Sequence, residues 1–513
     1  MYEKLVFPAA QYPFPDKVGL AFLAQILSYV AIIIFFWASF RSKLETRALF
    51  FLLFTAATLT EYGYRFTMGR FSVTEDYRTG LQTLDINWFK NAAITFLGGR
   101  WPIVIPLLAY GELLIWTSKK QQGGLRQLAG VLFTMVMIFS LVYPFSRGTF
   151  PTLSMGAFWR TLTFTGWRTA MVYRGARQKV PTISKVRPKN NIVFIVDESV
   201  RGDHLSVNGY ARNTTPYLDT LKSQGHLRTW GVAAAASTTS LSSNATLLTG
   251  VNQLPDIAQD IYRLPTIFMY AKAMGYQTYY LDVQMNQLWL MTREDLEYLD
   301  EWLPADSFKE CPPSEDDTCA GQYILERLLN SSGNFIWVNK HGAHFPYGAR
   351  VPADFTAWRP IPKNIKYAAA TSKELVNIYD SVIVYNLEAF FQTVITPQTL
   401  GNTTFVYTSD HGQTLNENGE TWPHSGPTRN EAMVPILIIQ KDILPVNSNY
   451  LASHFNLFST LLDLMSVPET ARVYPYALSL LKAQARDSNK RYYLVGDINN
   501  TQRSLLLPFD IEK

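Results

Sequence analysis

Residues 191–199 read Asn-Ile-Val-Phe-Ile-Val-Asp-Glu-Ser, and this stretch decides how the chain folds. An unbroken β-branched and aromatic run is what a strand buried on both faces needs, since neither face meets water. It stops abruptly in two carboxylates and a hydroxyl. The same form recurs further on. Strands are expected at 191–196, 278–282, 335–339, 404–408, 434–439 and 492–495, with helix-like stretches between them. Strand–helix alternation predicts an α/β domain around a mostly parallel central sheet. In such sheets the chemistry sits at the carboxyl ends of the strands.

The polar residues that end these strands are therefore the candidates. The first strand runs into Asp197-Glu198-Ser199, the strand at 404–408 into Ser409-Asp410-His411-Gly412, and the strand at 335–339 into Lys340-His341-Gly342-Ala343-His344. Between them, Ser237-Thr238-Thr239-Ser240 opens a helix expected to run through Leu248. A hydroxyl at a helix start is most often a cap. A lone carboxylate or a lone Asp-His-Gly is most often a loop or turn. Together at alternating strand ends, however, a carboxylate, an Asp-His pair, two histidines and a hydroxyl make a divalent-metal site with a nucleophile. Glu, Asp and His donors suit zinc. The metal would lower the hydroxyl's pKa and polarise a phosphoryl oxygen.

The rest of the chain divides sharply from this domain. Only 17% of the 513 residues are charged, against about 25% for soluble domains. All seven histidines lie from His204 onward, as do both cysteines, while the long uncharged runs all lie before Arg147. Residues 18–40 hold no charge and are long enough to cross a bilayer. Four spans are expected, at 18–40, 48–66, 101–117 and 127–146, making 1–147 a helical transmembrane anchor. Arg41, Lys43 and Arg47 crowd the first connection, and Lys119, Lys120 and Arg126 the third. Both connections are expected on the cytoplasmic side, which puts the C-terminal domain outside. Residues 83–98 read as an amphipathic segment on the outer face. The stretch from Arg147 to Lys189 is basic and without acids. It opposes this topology by the charge rule alone. With Phe158, Trp159, Phe164 and Trp167, it reads as an interfacial linker over 148–189 whose cations meet lipid phosphates. The catalytic domain is then 190–513. A net charge of +5 over this length does not suggest a nucleic-acid partner.

These motifs resemble the phosphoethanolamine transferases of Gram-negative inner membranes, in the alkaline phosphatase and sulfatase superfamily. The block opening at Asn191 is similar to that family's first metal-binding block, with Asp197 where the family has glycine. Ser409-Asp410-His411-Gly412-Gln413-Thr414-Leu415-Asn416-Glu417-Asn418-Gly419 is similar to its Asp-His-Gly block. The resemblance implies Glu198, Asp410 and His411 as zinc ligands, with one tightly bound ion and room for a second. It matches His344 and His424 to family histidines that bind substrate or a second metal. Aligning Ser243 with a family serine puts the nucleophile, and a further metal contact, at Thr238; Ser237, Thr239 and Ser240 stand next in line. The family's flanking cysteines are absent there. Glu75 or Asp76 would match an acidic substrate motif in the outer loop. The family commonly has five spans, so a four-span anchor lacks the first.

The resemblance implies transfer of phosphoethanolamine from phosphatidylethanolamine to lipid A, lipopolysaccharide or a related glycan through a phosphothreonine. It implies a monomeric, multi-pass inner-membrane enzyme with a periplasmic catalytic domain, of the kind tied to polymyxin resistance. In that compartment Cys311 and Cys319, eight positions apart, are expected to pair as a disulfide. Three rivals remain at this point. A glycerolphosphate transferase uses the same logic with another head group. A sulfatase needs a Cys/Ser-x-Pro-x-Arg string, which residues 425–429 supply, though after the Asp-His-Gly block instead of before it. A membrane scaffold would have lost the chemistry, yet every ligand type is present.

Overall fold

Strand β1 (Asn191–Asp197) is buried along its whole length, as its unbroken apolar run requires. Ile192, Phe194 and Val196 face one layer of the core and Val193 and Ile195 the other. Each such side chain, fully buried, is worth about 1.5–3 kcal/mol. The structure is a computed structural model. It describes residues 40, 47–49, 51, 52, 55, 104–118, 177–184, 186–252, 260–286, 291, 293–352, 354–362, 370–417, 426–442, 446–484, 490–495 and 505–510. The chain divides into two compact units, Met1–Val172 and Tyr173–Lys513.

In the second unit β1 lies at the centre of a seven-stranded sheet. The other strands are β2 (Leu227–Ala234), β3 (Gln277–Asp282), β4 (Glu301–Leu303), β5 (Asn334–Asn339), β6 (Thr403–Ser409) and β7 (Met433–Ile439). Their order is β2-β7-β6-β1-β5-β3-β4. All pairs are parallel except the two made by β7, so β7 alone runs backwards. A small antiparallel pair, β8 (Tyr492–Val495) and β9 (Leu505–Pro508), stands apart. The mostly parallel α/β domain expected from the sequence is thus present. Five of the six expected strands belong to the large sheet and the sixth is β8. The expectation omitted β2, β4 and β9. Gly231 (φ 65°) and a register shift break β2 in the middle, and β4 has only three residues, so neither carries a clear period-two pattern.

Helices cover both faces. One layer contains α4 and α8 and the other α2, α5, α6 and α7, in the chain-order numbering that follows. The first unit holds α1 (Val104–Ser118); the second holds α2 (Pro216–Ser223), α3 (Ser240–Thr249), α4 (Ile267–Ala273), α5 (Asp316–Asn330), α6 (Ser372–Val382), α7 (Glu388–Val394) and α8 (Phe455–Leu464). A π-helical turn, Ile383–Leu387, joins α6 to α7. Phe194 packs edge-on against Trp337 at 4.8 Å in one layer, and Phe391 against Tyr407 at 5.2 Å in the other. Because β5, β1 and β6 are adjacent and parallel, their carboxyl ends open at one edge of the sheet.

In the first unit Arg47 donates to the carbonyls of Leu114 (2.8 Å) and Phe40 (2.5 Å), while Phe40 packs edge-on against Tyr110. Leu108 and Ile115 of α1 are 59% and 53% exposed. The expected span at 101–117 coincides with α1, and the other three fall almost wholly outside the described residues, as do residues 83–98 and Glu75 and Asp76. No helix among the described residues is long and apolar enough to cross a membrane. The linker expected to extend to 189 gives way earlier. Val180 and Ile183 pack on the core of the second unit, and Arg177 grips Asp295 at 2.7 Å and the carbonyls of Ile261 and Leu264.

Candidate metal and phosphoryl-transfer site

Glu198 follows β1, and Asp410 and His411 follow β6. The register pairs Asp197 with Ser409, so the parallel pairing alone brings these three side chains together. One atom from each lies within 4.8 Å of the others, and all three residues are buried. His411 Nε2 is 3.3 Å from Glu198 Oε1 and 3.6 Å from Asp410 Oδ2. His411 Nδ1 is 2.6 Å from the Gly412 carbonyl and donates to it, which leaves Nε2 aimed at the carboxylates. Asp410 Oδ1 accepts from the backbone N–H of Ser199 and His411, at 3.0 and 2.7 Å. Asp410 Oδ2 is buried with no hydrogen-bond partner.

This donor set fits a divalent cation. Burial pushes the Asp410 carboxyl well above its usual range, and the Glu198 charge adds to it. Burial alone would lower His411, but the Asp410 and Glu198 charges overturn that and hold it near 10. Two carboxylates buried together need a cation, and the orphaned Asp410 oxygen points to where one would bind.

The hydroxyl at the cluster is that of Ser240. Its Oγ lies 3.2 Å from His411 Nε2 and 3.3 Å from Glu198 Oε2, and the residue is half-buried. Thr238, the expected nucleophile, has its Oγ1 fully buried with no hydrogen-bond partner. Ser237 Oγ donates to the Leu494 carbonyl, and Thr239 is the residue before the helix. The reason is local. The helix starts at Ser240, and this first residue turns its hydroxyl toward Glu198 and His411 at the strand ends.

His344 is half-buried. Burial holds its ring below the ordinary histidine range, against the opposing pull of the Glu198 charge, so the neutral form prevails. Its turn is fastened to the cluster, since Ala343 N donates to the Glu198 carbonyl at 3.0 Å. His424 lies outside the described residues. Cys311 and Cys319 are joined as a disulfide.

Sequence reasoning passed over the residues behind the cluster. Lys340 is fully buried, with Nζ 2.9 Å from Asp197 Oδ2 and 3.9 Å from Asp317 Oδ2. Tyr407 also donates to Asp197 at 3.0 Å. Asp317, at the start of α5, accepts from the backbone N–H of His341 and Gly342 at 2.8 and 2.9 Å. Neighbouring Asp316 takes His341 Nδ1 at 2.6 Å. A lysine inside a strand-end motif signals such a network only through its position. His454 had no motif to mark it; burial presses its ring down to about 3.

A buried Glu-Asp-His cluster at adjacent strand ends, with a hydroxyl at a helix start, is a donor set suited to a divalent metal. The chain belongs to the sulfatase family, whose pattern, described as Sulfatase, matches residues 190–467. The Kdo(2)-lipid A phosphoethanolamine 7''-transferase of Escherichia coli (strain K12) is 26% identical over 230 residues, 44% of this chain and 39% of that protein. The chain spans about half the length of the curated relatives it matches. Among solved structures, the integral membrane protein lipooligosaccharide phosphoethanolamine transferase A (EptA) from Neisseria meningitidis aligns with a TM-score of 0.58 at 16% identity, over 81% of this chain and 84% of that one. The C-terminal periplasmic domain of EcEptC from Escherichia coli, in complex with Zn, aligns with a TM-score of 0.52 at 20% identity, over 65% of this chain and 97% of that one. At these identities the structural likenesses speak for the fold. Arg429, which ends the string at 425–429, donates to the Phe509 carbonyl at 2.9 Å and stacks on its ring.

Proposed function

We propose that this chain transfers phosphoethanolamine from phosphatidylethanolamine to lipid A or a related glycan, through a covalent adduct on Ser240. The observation that carries this reading is the half-buried Ser240 hydroxyl, at the start of α3 and in contact with both Glu198 and His411. Relatives named as lipid A phosphoethanolamine transferases supply the head group and the acceptor class. A zinc ion held by Glu198, Asp410 and His411 would stabilise the Ser240 oxygen as an alkoxide and polarise a phosphoryl oxygen.

Ser240 Oγ forms a bond to phosphorus as the bond to the diacylglycerol oxygen breaks, and diacylglycerol leaves with a proton. The first N–H groups of a helix have no intrahelical acceptor, so the start of α3 favours the anionic adduct. A hydroxyl or phosphate of the acceptor then attacks phosphorus, the bond to Oγ breaks, and the serine is restored. Neutral His344 is suited to donate to a phosphoryl oxygen or to the leaving group, and the family match gives His424 the same task. Both substrates are lipids. The expected spans and the exposed Leu108 and Ile115 support a membrane anchor, and the disulfide supports an oxidising compartment such as the periplasm.

The test is a pair of substitutions in the full chain, with lipid A mass and adduct formation as readouts. Ser240→Ala is expected to lower transfer by about 10³-fold or more while zinc content is kept. Thr238→Val is expected to retain transfer. Expression of the unaltered chain should add one phosphoethanolamine to lipid A or to a related glycan. Full transfer by the Ser240 variant would overturn the reading.

A further inference from the structure

We propose that His454 is a positioning residue that sets the Ser240 segment and the Asp410 strand end in register with each other; the inference rests on the transfer reading above. Ser240 and Asp410 reach the site from strands that do not touch. The segment carrying Ser240 continues from β2, and Asp410 ends β6, with β7 lying between them. At about 4.8 Å per strand, the two chains are roughly 10 Å apart where they leave the sheet. Something beyond strand pairing has to fix their separation.

His454 spans that gap. It stands at the entrance to α8 and is 1% exposed. Its Nδ1 lies 3.2 Å from the backbone N of Ala236, four residues before Ser240. That N–H can only donate, so Nδ1 accepts and the proton resides on Nε2. Nε2 then donates to the carbonyl of Ser409, 2.8 Å away and one residue before Asp410, with Thr408 Oγ1 at 3.1 Å. Thr408 Oγ1 donates in turn to the Pro435 carbonyl of the intervening β7. The backbone of His454 is tied to the same side, donating to the Ala234 carbonyl at 2.9 Å. One rigid ring thus links the nucleophile's segment to the ligand's strand, and each nitrogen has a single role. Lysine and arginine could not accept from Ala236. An alcohol could not reach both segments.

The two nitrogens can be removed separately. Asn at 454 places an amide oxygen near the Nδ1 position and keeps the tie to Ala236, but is too short for Ser409. Gln places an amide N–H near the Nε2 position and keeps the tie to Ser409, but abandons Ala236. The experiment uses the full chain and measures zinc affinity by competition with a chromogenic chelator, the rate of Ser240 adduct formation, KM for the donor, and the thermal unfolding midpoint. His454→Asn is expected to weaken zinc binding about tenfold. His454→Gln is expected to keep zinc binding within about twofold while slowing adduct formation about tenfold or more at unchanged KM. If both variants match the unaltered chain in zinc affinity and adduct rate, or fall only in step with a lowered unfolding midpoint, His454 is a packing residue and the inference is overturned. If the unaltered chain itself holds no zinc and forms no adduct, the transfer reading fails, and the inference with it.

Discussion

Gly342 occupies the left-handed region at φ 51°, and a Cβ there would lie 2.2 Å from Asp197 Oδ1 and 2.8 Å from Glu198 N. No side chain fits between the β5 turn and the residues that lead into the first metal ligand. Gly342→Ala is therefore expected to cost about 1–3 kcal/mol in urea unfolding and to weaken zinc binding, because the shift it forces falls on Glu198. The ligands themselves predict a pH dependence. In the folded, metal-free protein burial and the Glu198 charge raise the Asp410 carboxyl, and the carboxylate charges raise His411. Both pKa values are raised, so the stability they contribute is full at low pH and is lost as pH rises toward about 10 for His411. Zinc takes the place of those protons, so the gain in unfolding midpoint on adding zinc should grow between about pH 6 and about pH 9. A gain that is flat or shrinks with pH would show that the cluster does not bind the metal through these groups. At this scale the sequence was legible where chemistry and strand ends coincide, at Glu198, Asp410 and His411. It left the hydroxyl open, because which of four consecutive hydroxyls faces the site depends on the single residue at which the helix begins.

The start of α5 does for the β5 turn what His454 does for the β6 end. Asp316 and Asp317 hold the turn through His341 and through two backbone N–H groups, and Lys340 offsets the charge of Asp317 and Asp197. Burial raises the Asp317 pKa, and Lys340 opposes it. Lys340→Met leaves two buried carboxylates without their cation and is expected to cost about 3–5 kcal/mol. Asp317 would then be raised further, so the loss should be larger at high pH than at low pH, and Asp197→Asn in the same chain should recover part of it. An equal loss at both pH values would mean that packing over Phe390, not charge, explains the lysine. None of this could be read from pattern alone. An apolar run states that a strand is buried, as β1 and β6 show, but a buried ion network depends on partners 24 to 143 residues away. The short β4 and the broken β2 went unread for a related reason: their pairing is set by neighbours and not by their own alternation.

For the molecule as a whole, the chain divides into two compact units, and the second begins at Tyr173. Arg177 pairs with Asp295 at 5% and 2% side-chain exposure, so cutting the chain at 190 strips a buried carboxylate of its partner. A 190–513 piece is expected to be less stable than a 173–513 piece by about 3–5 kcal/mol, as measured by urea unfolding. Equal stability would show that residues 173–189 are dispensable. The end of the basic stretch is thus a structural strap. The disulfide between Cys311 and Cys319 closes a short loop whose far limb carries Asp316 and Asp317, the residues that hold the β5 turn against Glu198. A thiol reagent in a purification buffer would therefore act on the enzyme twice. It would open that clasp and compete for zinc, so a preparation made without reductant and without chelator is the one in which its activity should be sought.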